Sequence, residues 1–176
     1  MVHAKLSLKK DLIGPILDLG GGGEGVIGRI YGQQAVAIDN RQEELDDAPD
    51  GPKKLLMDAS ALAFAPGEFS HVTAFFSLMY MPSDIQGQVI AEAARVLCPG
   101  GCLHIWDTDI DSAFPNPFLV ELDLDAAGQP VHTCYGIIQE DAFQDAGRFI
   151  RLAQAARLRL AAHQRHSGCF YLRFVK

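Results

Sequence analysis

The chain has few basic residues and no long hydrophobic run. Its 176 residues contain 15 Lys+Arg against 22 Asp+Glu, which gives a formal net charge of −7. Because nucleic-acid binding draws most of its affinity from clustered Lys and Arg, this balance argues against DNA, RNA and anionic membranes as partners. No stretch approaches the ~18 apolar residues of a membrane span. A soluble protein is therefore expected, with a cytoplasmic location as the default.

The sequence also lacks the spacing of a metal site or a redox pair. The four cysteines form no C-x-x-C motif and no His-flanked zinc pattern; they are Cys98, Cys102, Cys134 and Cys169. They are expected to be reduced, small core residues. Alternating aspartates over residues 107–111 resemble the start of a calcium loop, but the position that requires glycine is Ser112. The sequence therefore predicts no metal site.

Short apolar runs alternate with helical patterns, which is typical of a parallel sheet covered on both faces. No linker or repeat divides the chain, so residues 1–176 are predicted to form a single domain. The clearest helix is expected to begin at Ser83, with Ser83 and Gln86 as a capping box, and to end before Pro99. Strands are expected at residues 15–19, 35–39, 53–57, 71–76, 102–106 and 169–175.

The part of the chain after residue 107 has a different pattern. Two strand-like runs, residues 118–124 and 131–138, flank a turn, which predicts a small β-hairpin insert over about residues 112–139. A short helix is expected to end near Gly147. Residues 149–166 are ambiguous, because arginine and leucine alternate in one part and alanines fill the rest.

Glycine is concentrated in one place. Of the 17 glycines, six lie between Gly20 and Gly28, and residues 20–25 read GGGGEG between a predicted strand and a predicted helix. Glycines there permit positive φ and let a ligand approach backbone amides at a helix N-terminus. Asp39, nineteen residues after Gly20, falls at the end of the next predicted strand, where a carboxylate can accept hydrogen bonds from ribose hydroxyls. Together these features predict a cofactor that contains a nucleoside.

The residues around the glycines indicate which cofactor it is. Asp18 lies two positions before Gly20, where it suits a cationic amino-acid group better than a pyrophosphate. The segments 16–25, 36–39, 57–59 and 95–103 together resemble the class I S-adenosylmethionine-dependent methyltransferases, over about residues 13–107. The chain looks most like the small-molecule enzymes of the ubiquinone/menaquinone biosynthesis type. This resemblance implies an α/β, doubly wound, Rossmann-like, mostly parallel seven-stranded sheet with an antiparallel last strand.

The resemblance also implies which residues bind S-adenosylmethionine. The methionine end would be held by Asp18 and by the turn of Gly20, Gly21 and Gly22, and the ribose by Asp39. The adenine amino group would be bound by Asp58 with Ala59 beside it, and the turn of Phe76 and Ser77 would close over the cofactor. One departure from the family pattern is Glu24, which stands where the third glycine is usual, with Gly25 following it.

No single residue is identified as a catalytic base, and methyl transfer can proceed largely through positioning of the reactants. Asp107 ends the fifth predicted strand, where a substrate or base role is a hypothesis. Tyr80 follows the fourth strand and is a candidate to line the acceptor pocket. His104 lies within a strand, where a hydrogen-bonded core histidine is the first interpretation and a base the second. A homo-oligomer is left open, because a partner subunit could complete the acceptor site of so short a chain.

Three functions are therefore compared. The leading one is S-adenosylmethionine-dependent methyl transfer to a small organic acceptor. The second is an NAD-dependent oxidoreductase, because G-x-G-x-x-G followed by Asp39 satisfies that fingerprint as well. The third is a non-catalytic S-adenosylmethionine-binding protein with the methyltransferase fold, motivated by Glu24 and by the lack of a clear base.

Overall fold

The computed structural model describes residues 1–111, 114–140 and 142–176. Its strands are Val2–Leu8 (β1), Ile16–Leu19 (β2), Ala35–Asp39 (β3), Lys53–Leu56 (β4), Phe69–Phe75 (β5), Leu97–Thr108 (β6), Phe118–Ala126 (β7), Gln129–Ile137 (β8), Arg159–His166 (β9) and Cys169–Val175 (β10). Its helices are Val26–Tyr31 (α1), Gln42–Asp47 (α2), Ser83–Val96 (α3) and Ala146–Ala155 (α4). Within the described ranges, no helix has the length and apolar character needed to cross a membrane.

The main sheet has seven strands in the order β4-β3-β2-β5-β6-β10-β9. The five strands from β4 to β6 run parallel, and β10 is antiparallel to both β6 and β9. The central strand β2 is buried at all four positions, as expected of a parallel strand covered on both faces. The prediction of a mostly parallel, seven-stranded α/β sheet with an antiparallel last strand is confirmed.

The two faces of this sheet are covered differently. One face packs against α3 and α4, through a cluster that includes Val89, Ile90 and Phe149. The other face packs against α1 and against a second, three-stranded sheet in the order β1-β7-β8, whose apolar residues include Val120 and Leu122. The second face is therefore covered partly by strands, where the sequence predicted helices and a small hairpin.

The predicted hairpin forms part of this second sheet. Strands β7 and β8 pair antiparallel, and β1 pairs with β7 in parallel from Val2↔Val120 to Leu8↔Ala126. Strand β1 was not predicted, because its partner lies more than a hundred residues away in sequence. The first two residues of the predicted insert, Ser112 and Ala113, lie outside the described residues.

Two predictions about helix ends are wrong. The residue that caps α3 is Pro82, no side chain caps the helix, and Gln86 is buried with its amide donating to the Leu78 carbonyl. The capping box is thus replaced by a tertiary hydrogen bond. Helix α4 begins at Ala146, because Asp145 caps it by accepting from the Arg148 amide at 2.6 Å. The helix expected to end near Gly147 therefore starts there.

The ambiguous segment and the cysteines are also resolved by the structure. Residues 149–166 contain most of α4 and then all of β9, with Arg157 between them at φ 64°. All four cysteines are free, as expected. Only Cys169 is buried, whereas Cys98 and Cys102 are half-buried and Cys134 is exposed, so the expectation of core cysteines holds for Cys169 alone.

Candidate cofactor and acceptor site

The glycine-rich turn joins β2 to α1 and needs glycine for two different reasons. Gly20, Gly23 and Gly25 have positive φ values of 69°, 55° and 51°. A Cβ added to Gly21 would lie 2.6 Å from Asp18 Oδ2, and one added to Gly22 would lie 2.8 Å from Asp39 Oδ2. Gly20, Gly23 and Gly25 therefore supply left-handed backbone, whereas Gly21 and Gly22 let the backbone approach the two carboxylates closely.

The turn is also tied to its neighbours by backbone hydrogen bonds. The Gly21 amide donates to the Ile38 carbonyl at 2.9 Å, and the Gly23 amide donates to the Glu44 carbonyl at 2.7 Å. Glu44 lies on α2 and was not among the predicted site residues. Its contact with the turn has no local sequence signal, because it depends on how α2 packs after β3.

Glu24, the departure from the family pattern, lies between two left-handed glycines. Its carbonyl accepts a hydrogen bond from Arg29 Nε at 2.7 Å, and its carboxylate lies 3.7 Å from Arg29 Nη2. The turn thus accommodates Glu24 by pairing it with α1, while Gly23 and Gly25 supply the positive φ values on either side.

Asp18 lies inside the sheet beneath this turn and is only 3% exposed. Thr73, opposite it on β5, donates a hydrogen bond from Oγ1 to Asp18 Oδ1 at 2.7 Å. Burial raises the pKa of Asp18 to about 7, the Thr73 hydrogen bond opposes that rise, and the charge of Asp39 adds to it. The carboxyl is therefore poised to ionise beside a cationic group. Thr73 was not predicted, since only strand pairing places it there.

Asp39 is the last residue of β3, and Asp58 follows the end of the neighbouring strand β4 by two residues, at the same edge as the glycine turn. Asp39 is half-buried, and its Oδ1 accepts from the Arg41 amide at 3.0 Å. Asp58 is exposed, and its Oδ1 accepts from the amide and hydroxyl of Ser60, which hold the pKa of Asp58 below its usual value. Ala59 is buried beside it. The carboxyl ends of parallel strands are where ligands bind in sheets of this kind.

The turn after β5 is hydrogen-bonded to the end of β2. Ser77 Oγ donates to the Leu19 carbonyl at 2.7 Å, and a Cβ on Gly20 would lie 2.5 Å from Ser77 Cβ. Phe76 has φ 48° and stacks on Tyr135 of β8, with ring centroids 5.3 Å apart and planes within 6°. The structure therefore brings Phe76 and Ser77 next to the glycine turn and places Phe76 under β8.

Tyr80 lies at the edge of the region that β8 covers. It is 44% exposed, and its hydroxyl oxygen accepts from the Gly136 amide of β8 at 3.1 Å. Burial raises the pKa of Tyr80, and raises that of Tyr135 more strongly. Both phenols therefore stay protonated near neutral pH, and two tyrosines cover the ends of the central strands.

Asp107 ends β6 but is closed to solvent, with 0% exposure. Its Oδ1 accepts from the Thr108 amide at 2.9 Å and from Gln144 Nε2 at 2.7 Å, and its buried Oδ2 has no hydrogen-bond partner among the described residues. Burial raises the pKa of Asp107 to about 7. Gln144 was not predicted, because its role arises from the packing of the segment before α4.

His104 does not reach the cofactor edge. It is 3% exposed, with Nδ1 2.9 Å from Tyr171 Oη and Nε2 3.1 Å from His71 Nδ1. It lies three residues before Asp107 on β6, inside the sheet. This position agrees with a hydrogen-bonded core histidine, one strand beyond Thr73, the residue that pairs with Asp18.

The residues at this edge fit S-adenosylmethionine. The glycine turn is so close to Asp18 and Asp39 that a methyl group at Gly21 or Gly22 would collide with their carboxylates. The cofactor carries a cationic amino group, a ribose diol and an adenine amino group, all of which a carboxylate can accept from. Three carboxylates, in β2, at the end of β3 and just after β4, match these three groups.

The sequence comparisons identify the family. Residues 17–105, half of the chain, match the family described as "Methyltransferase domain". The chain belongs to this family and is an S-adenosylmethionine-dependent methyltransferase of class I, with S-adenosylmethionine as its cofactor. The match favours this cofactor over the dinucleotide considered above. No curated protein matches the chain.

Solved structures share the fold at low sequence identity. An S-adenosylmethionine-dependent methyltransferase of Methanosarcina mazei is 18% identical, with a TM-score of 0.64 over 96% of this chain and 94% of that one. The 1,6-didemethyltoxoflavin-N1-methyltransferase of Burkholderia thailandensis is 16% identical, with a TM-score of 0.60 over 93% and 72%. The [4+2]-cyclase SpnF is 19% identical, with a TM-score of 0.61 over 87% and 55%. The fold thus occurs in proteins named for different reactions.

Proposed function

We propose that the chain transfers the methyl group of S-adenosylmethionine to a small organic acceptor bound over the carboxyl ends of β5 and β6. The observation that carries this proposal is the arrangement at one sheet edge. There the glycine turn and Asp18 adjoin the Phe76 and Ser77 turn, which β8 covers. When bound, the cofactor supplies a methyl group activated by its sulfonium charge.

In this proposal, each of three carboxylates binds a different group of the cofactor. Asp18 binds the cationic amino group from beneath the glycine turn, and Asp39 accepts hydrogen bonds from the ribose hydroxyls. Asp58 accepts from the adenine amino group, with Ala59 packed beside the ring. Asp39 and Asp58 form their own loop hydrogen bonds through Oδ1, which supports Oδ2 as the oxygen offered to the cofactor.

Strand β8 covers the turn after β5, which supports an acceptor of limited size. Tyr135 stacks on Phe76, and Tyr80 is held to Gly136, so an acceptor next to the cofactor must fit among these rings. Aromatic walls with few polar groups are typical of small-molecule sites. Tyr135 is half-buried whereas Tyr80 is 44% exposed, which supports Tyr80 as the tyrosine on the side from which an acceptor enters.

Charge supports the same class of acceptor. The net charge is −7, and acidic side chains of α2 such as Glu43, Asp46 and Asp47 are exposed beside the cofactor edge. This negative field repels polyanions such as nucleic acids. A neutral or cationic small molecule is the acceptor that these charges favour.

Asp107 acts as a positioning residue in this proposal. Its carboxylate accepts hydrogen bonds from the Thr108 amide and from Gln144 Nε2. Gln144 in turn accepts from Gln86 Nε2 at 3.3 Å, and Gln86 donates to the carbonyl of Leu78, two residues before Tyr80. This chain of hydrogen bonds supports a role for Asp107 in positioning the turn that presents Tyr80 to the acceptor. No residue is assigned as a general base, since alignment of the acceptor with the methyl group can provide most of the acceleration.

The first experiment measures cofactor binding by isothermal titration with S-adenosylmethionine and S-adenosylhomocysteine. Both ligands are expected to bind with one site per chain, and Asp39→Asn is expected to weaken binding at least tenfold, about 1.4 kcal/mol. Asp47→Asn is the matched control, because Asp47 is an exposed carboxylate at the end of α2. Equal affinities of the two variants would contradict the role of Asp39.

The second experiment tests the acceptor class. S-adenosylhomocysteine release is measured with a panel of small phenols, amines and thiols, and in parallel with RNA and with protein acceptors. Turnover with members of the small-molecule panel is expected. Cofactor binding together with turnover only on a macromolecule would overturn the proposal. Light scattering on the same samples measures the oligomeric state, which the sequence left open.

A further inference from the structure

Three potential metal ligands converge on the face of the main sheet that lies away from α3 and α4. They are His71 on β5 and both Cys102 and His104 on β6, and one ligand atom of each lies within 4.8 Å of the other two. His71 pairs directly with Cys102 in the parallel register of β5 and β6. His104 lies two residues beyond Cys102 and so projects from the same face.

The spacing of the two imidazoles suits a metal ion. His71 Nδ1 lies 3.1 Å from His104 Nε2. Two nitrogen ligands at zinc bond lengths of about 2.0–2.1 Å in a tetrahedron lie about 3.3 Å apart. The two rings therefore stand within a few tenths of an ångström of the separation that a shared ion requires, with the Cys102 thiol beside them.

The surroundings hold His104 in the orientation that a ligand needs. Its Nδ1 lies 2.9 Å from Tyr171 Oη, and its ring lies beside the rings of Trp106 and Tyr171, with centroids 5.8 Å and 6.1 Å away and ring planes within 11° and 19°. A hydrogen bond from Nδ1–H to an oxygen leaves the Nε2 lone pair directed at the cluster, which is how metal-bound histidines are usually oriented.

Access and charge also decide what this cluster can bind. His71 and Cys102 are half-buried, whereas His104 is buried, so one side of the cluster is open to water. Arg173 of β10 pairs with His104 of β6, and Asp11 precedes β2, so charged residues of both signs lie on this side of the sheet. A thiolate at Cys102 would add a negative charge that attracts a cation.

We propose that His71, Cys102 and His104 bind one thiolate-preferring divalent metal ion, of which zinc is the reference, with a fourth position open to water. Binding forms one bond from the metal to Cys102 Sγ and one to a nitrogen of each imidazole, and it releases the thiol proton to solvent. Imidazole and thiolate ligands together select zinc-type ions over magnesium or calcium. The ion joins β5 to β6.

This site is separate from the cofactor edge. His104 pairs with Thr73 of β5, and Thr73 pairs with Asp18 of β2, so two strand spacings, about 10 Å, separate His104 from Asp18 across the sheet. The proposed ion therefore does not touch the transferred methyl group. Its expected effect is on the stability of the central strands, because a ligand that binds only the folded state stabilises that state.

The test uses the full chain, stripped of metal with a chelator and titrated with Co²⁺. One equivalent of Co²⁺ is expected to give a near-ultraviolet sulfur-to-cobalt charge-transfer band, which Zn²⁺ abolishes by displacement and Mg²⁺ does not. Cys102→Ser is expected to lose the band and His71→Gln to weaken Co²⁺ binding at least tenfold. Cys98→Ser and His163→Gln are the matched controls, since Cys98 is also half-buried on β6 and His163 is exposed on β9.

A second measurement does not depend on the variants folding. In the unaltered protein, stoichiometric Zn²⁺ is expected to slow alkylation of Cys102 at least tenfold and to leave Cys98 unchanged, as followed by peptide mass spectrometry. The absence of a charge-transfer band at one equivalent of Co²⁺ would overturn the proposal. So would a band that persists in Cys102→Ser, or equal protection of Cys98 and Cys102.

Discussion

Two buried carboxyls have the same raised pKa for different purposes. Asp18 and Asp107 both have pKa values raised to about 7, with burial as the largest cause. Asp18 lies on the same face of β2 as Ile16, which packs towards α1 and the second sheet, and touches the glycine turn. Asp107 is bound to Thr108 and Gln144 near α4. Only Asp18 is therefore placed to exchange its proton for a cationic group of the cofactor.

At the residue scale, we predict that S-adenosylmethionine affinity rises with pH through about 7. Asp18 is mostly protonated at pH 6 and mostly ionised at pH 8, and only the ionised form pairs with the amino group. If the ionised fraction limits binding, the dissociation constant falls roughly tenfold over this range. Isothermal titration at several pH values measures it.

Asp18→Asn and Asp107→Asn form a matched pair for this prediction. The first variant removes the titrating group and is expected to flatten the pH profile of binding and to weaken binding at pH 8. The second is expected to leave the pH profile of cofactor binding unchanged. A profile that Asp107→Asn flattens and Asp18→Asn does not would show that the wrong carboxyl has been assigned.

At the element scale, the glycine-rich turn is needed for close packing as well as for its backbone conformation. Gly22 fits between α2 and the end of β3, where an added Cβ would lie 2.5 Å from Glu44 Cβ and 2.8 Å from Asp39 Oδ2. A side chain at this position must push α2 or Asp39 away. The sequence pattern identified the turn, and packing explains why Gly22 itself has to be glycine.

We therefore predict that Gly22→Ala weakens S-adenosylmethionine binding at least tenfold, about 1.4 kcal/mol, because Asp39 is displaced. Gly87→Ala is the control, since its added Cβ would meet only Leu152 Cδ2 at 3.5 Å. Alanine at this interior position of α3 is expected to stabilise the protein by about 0.5–1 kcal/mol without affecting binding. Titration calorimetry and chemical denaturation measure the two effects, and unchanged binding by Gly22→Ala would contradict the prediction.

At the scale of the whole molecule, buried acids and buried histidines oppose each other in their effect on stability. Folding raises the pKa of Asp18 and Asp107, so these groups lose stabilisation as the pH rises from about 4 to about 7. Folding lowers the pKa of His104 to about 3, so its contribution is lost as the pH falls below about 6.5. Between about pH 4 and pH 6.5, the aspartates and His104 therefore change the free energy of unfolding with pH in opposite directions, and the two effects partly cancel.

We predict that His104→Gln removes the loss of stability that His104 causes as the pH falls below about 6.5. Relative to the unaltered protein, its free energy of unfolding is expected to increase as the pH falls from about 6.5 to 4, by up to about 1.4 kcal/mol per pH unit. Denaturation in the presence of a chelator measures the difference at each pH. His163→Gln, at an exposed position on β9, is expected to show no such trend. A difference between His104→Gln and the unaltered protein that does not vary with pH would contradict this account.

The strands of the main sheet were predictable, and so was the identity of the cofactor. Apolar runs that end in Asp39 or Asp58, and the glycines after β2, are local signals that survive in the fold. The partners of these residues were not predictable: Thr73 reaches Asp18, and Gln144 reaches Asp107, only through strand pairing and helix packing. Gln86 failed as a capping residue for the same reason, since its amide found tertiary partners.

The sequence by itself determined the sheet of parallel strands, the glycine turn and the acids at the strand ends, because each depends on residues that are neighbours along the chain. The tertiary structure alone decided that β1 joins β7, that Tyr135 covers Phe76, and that His71 meets Cys102 and His104. These contacts join residues about 30 to 120 positions apart, and their pairing depends on strand register, which no local pattern specifies.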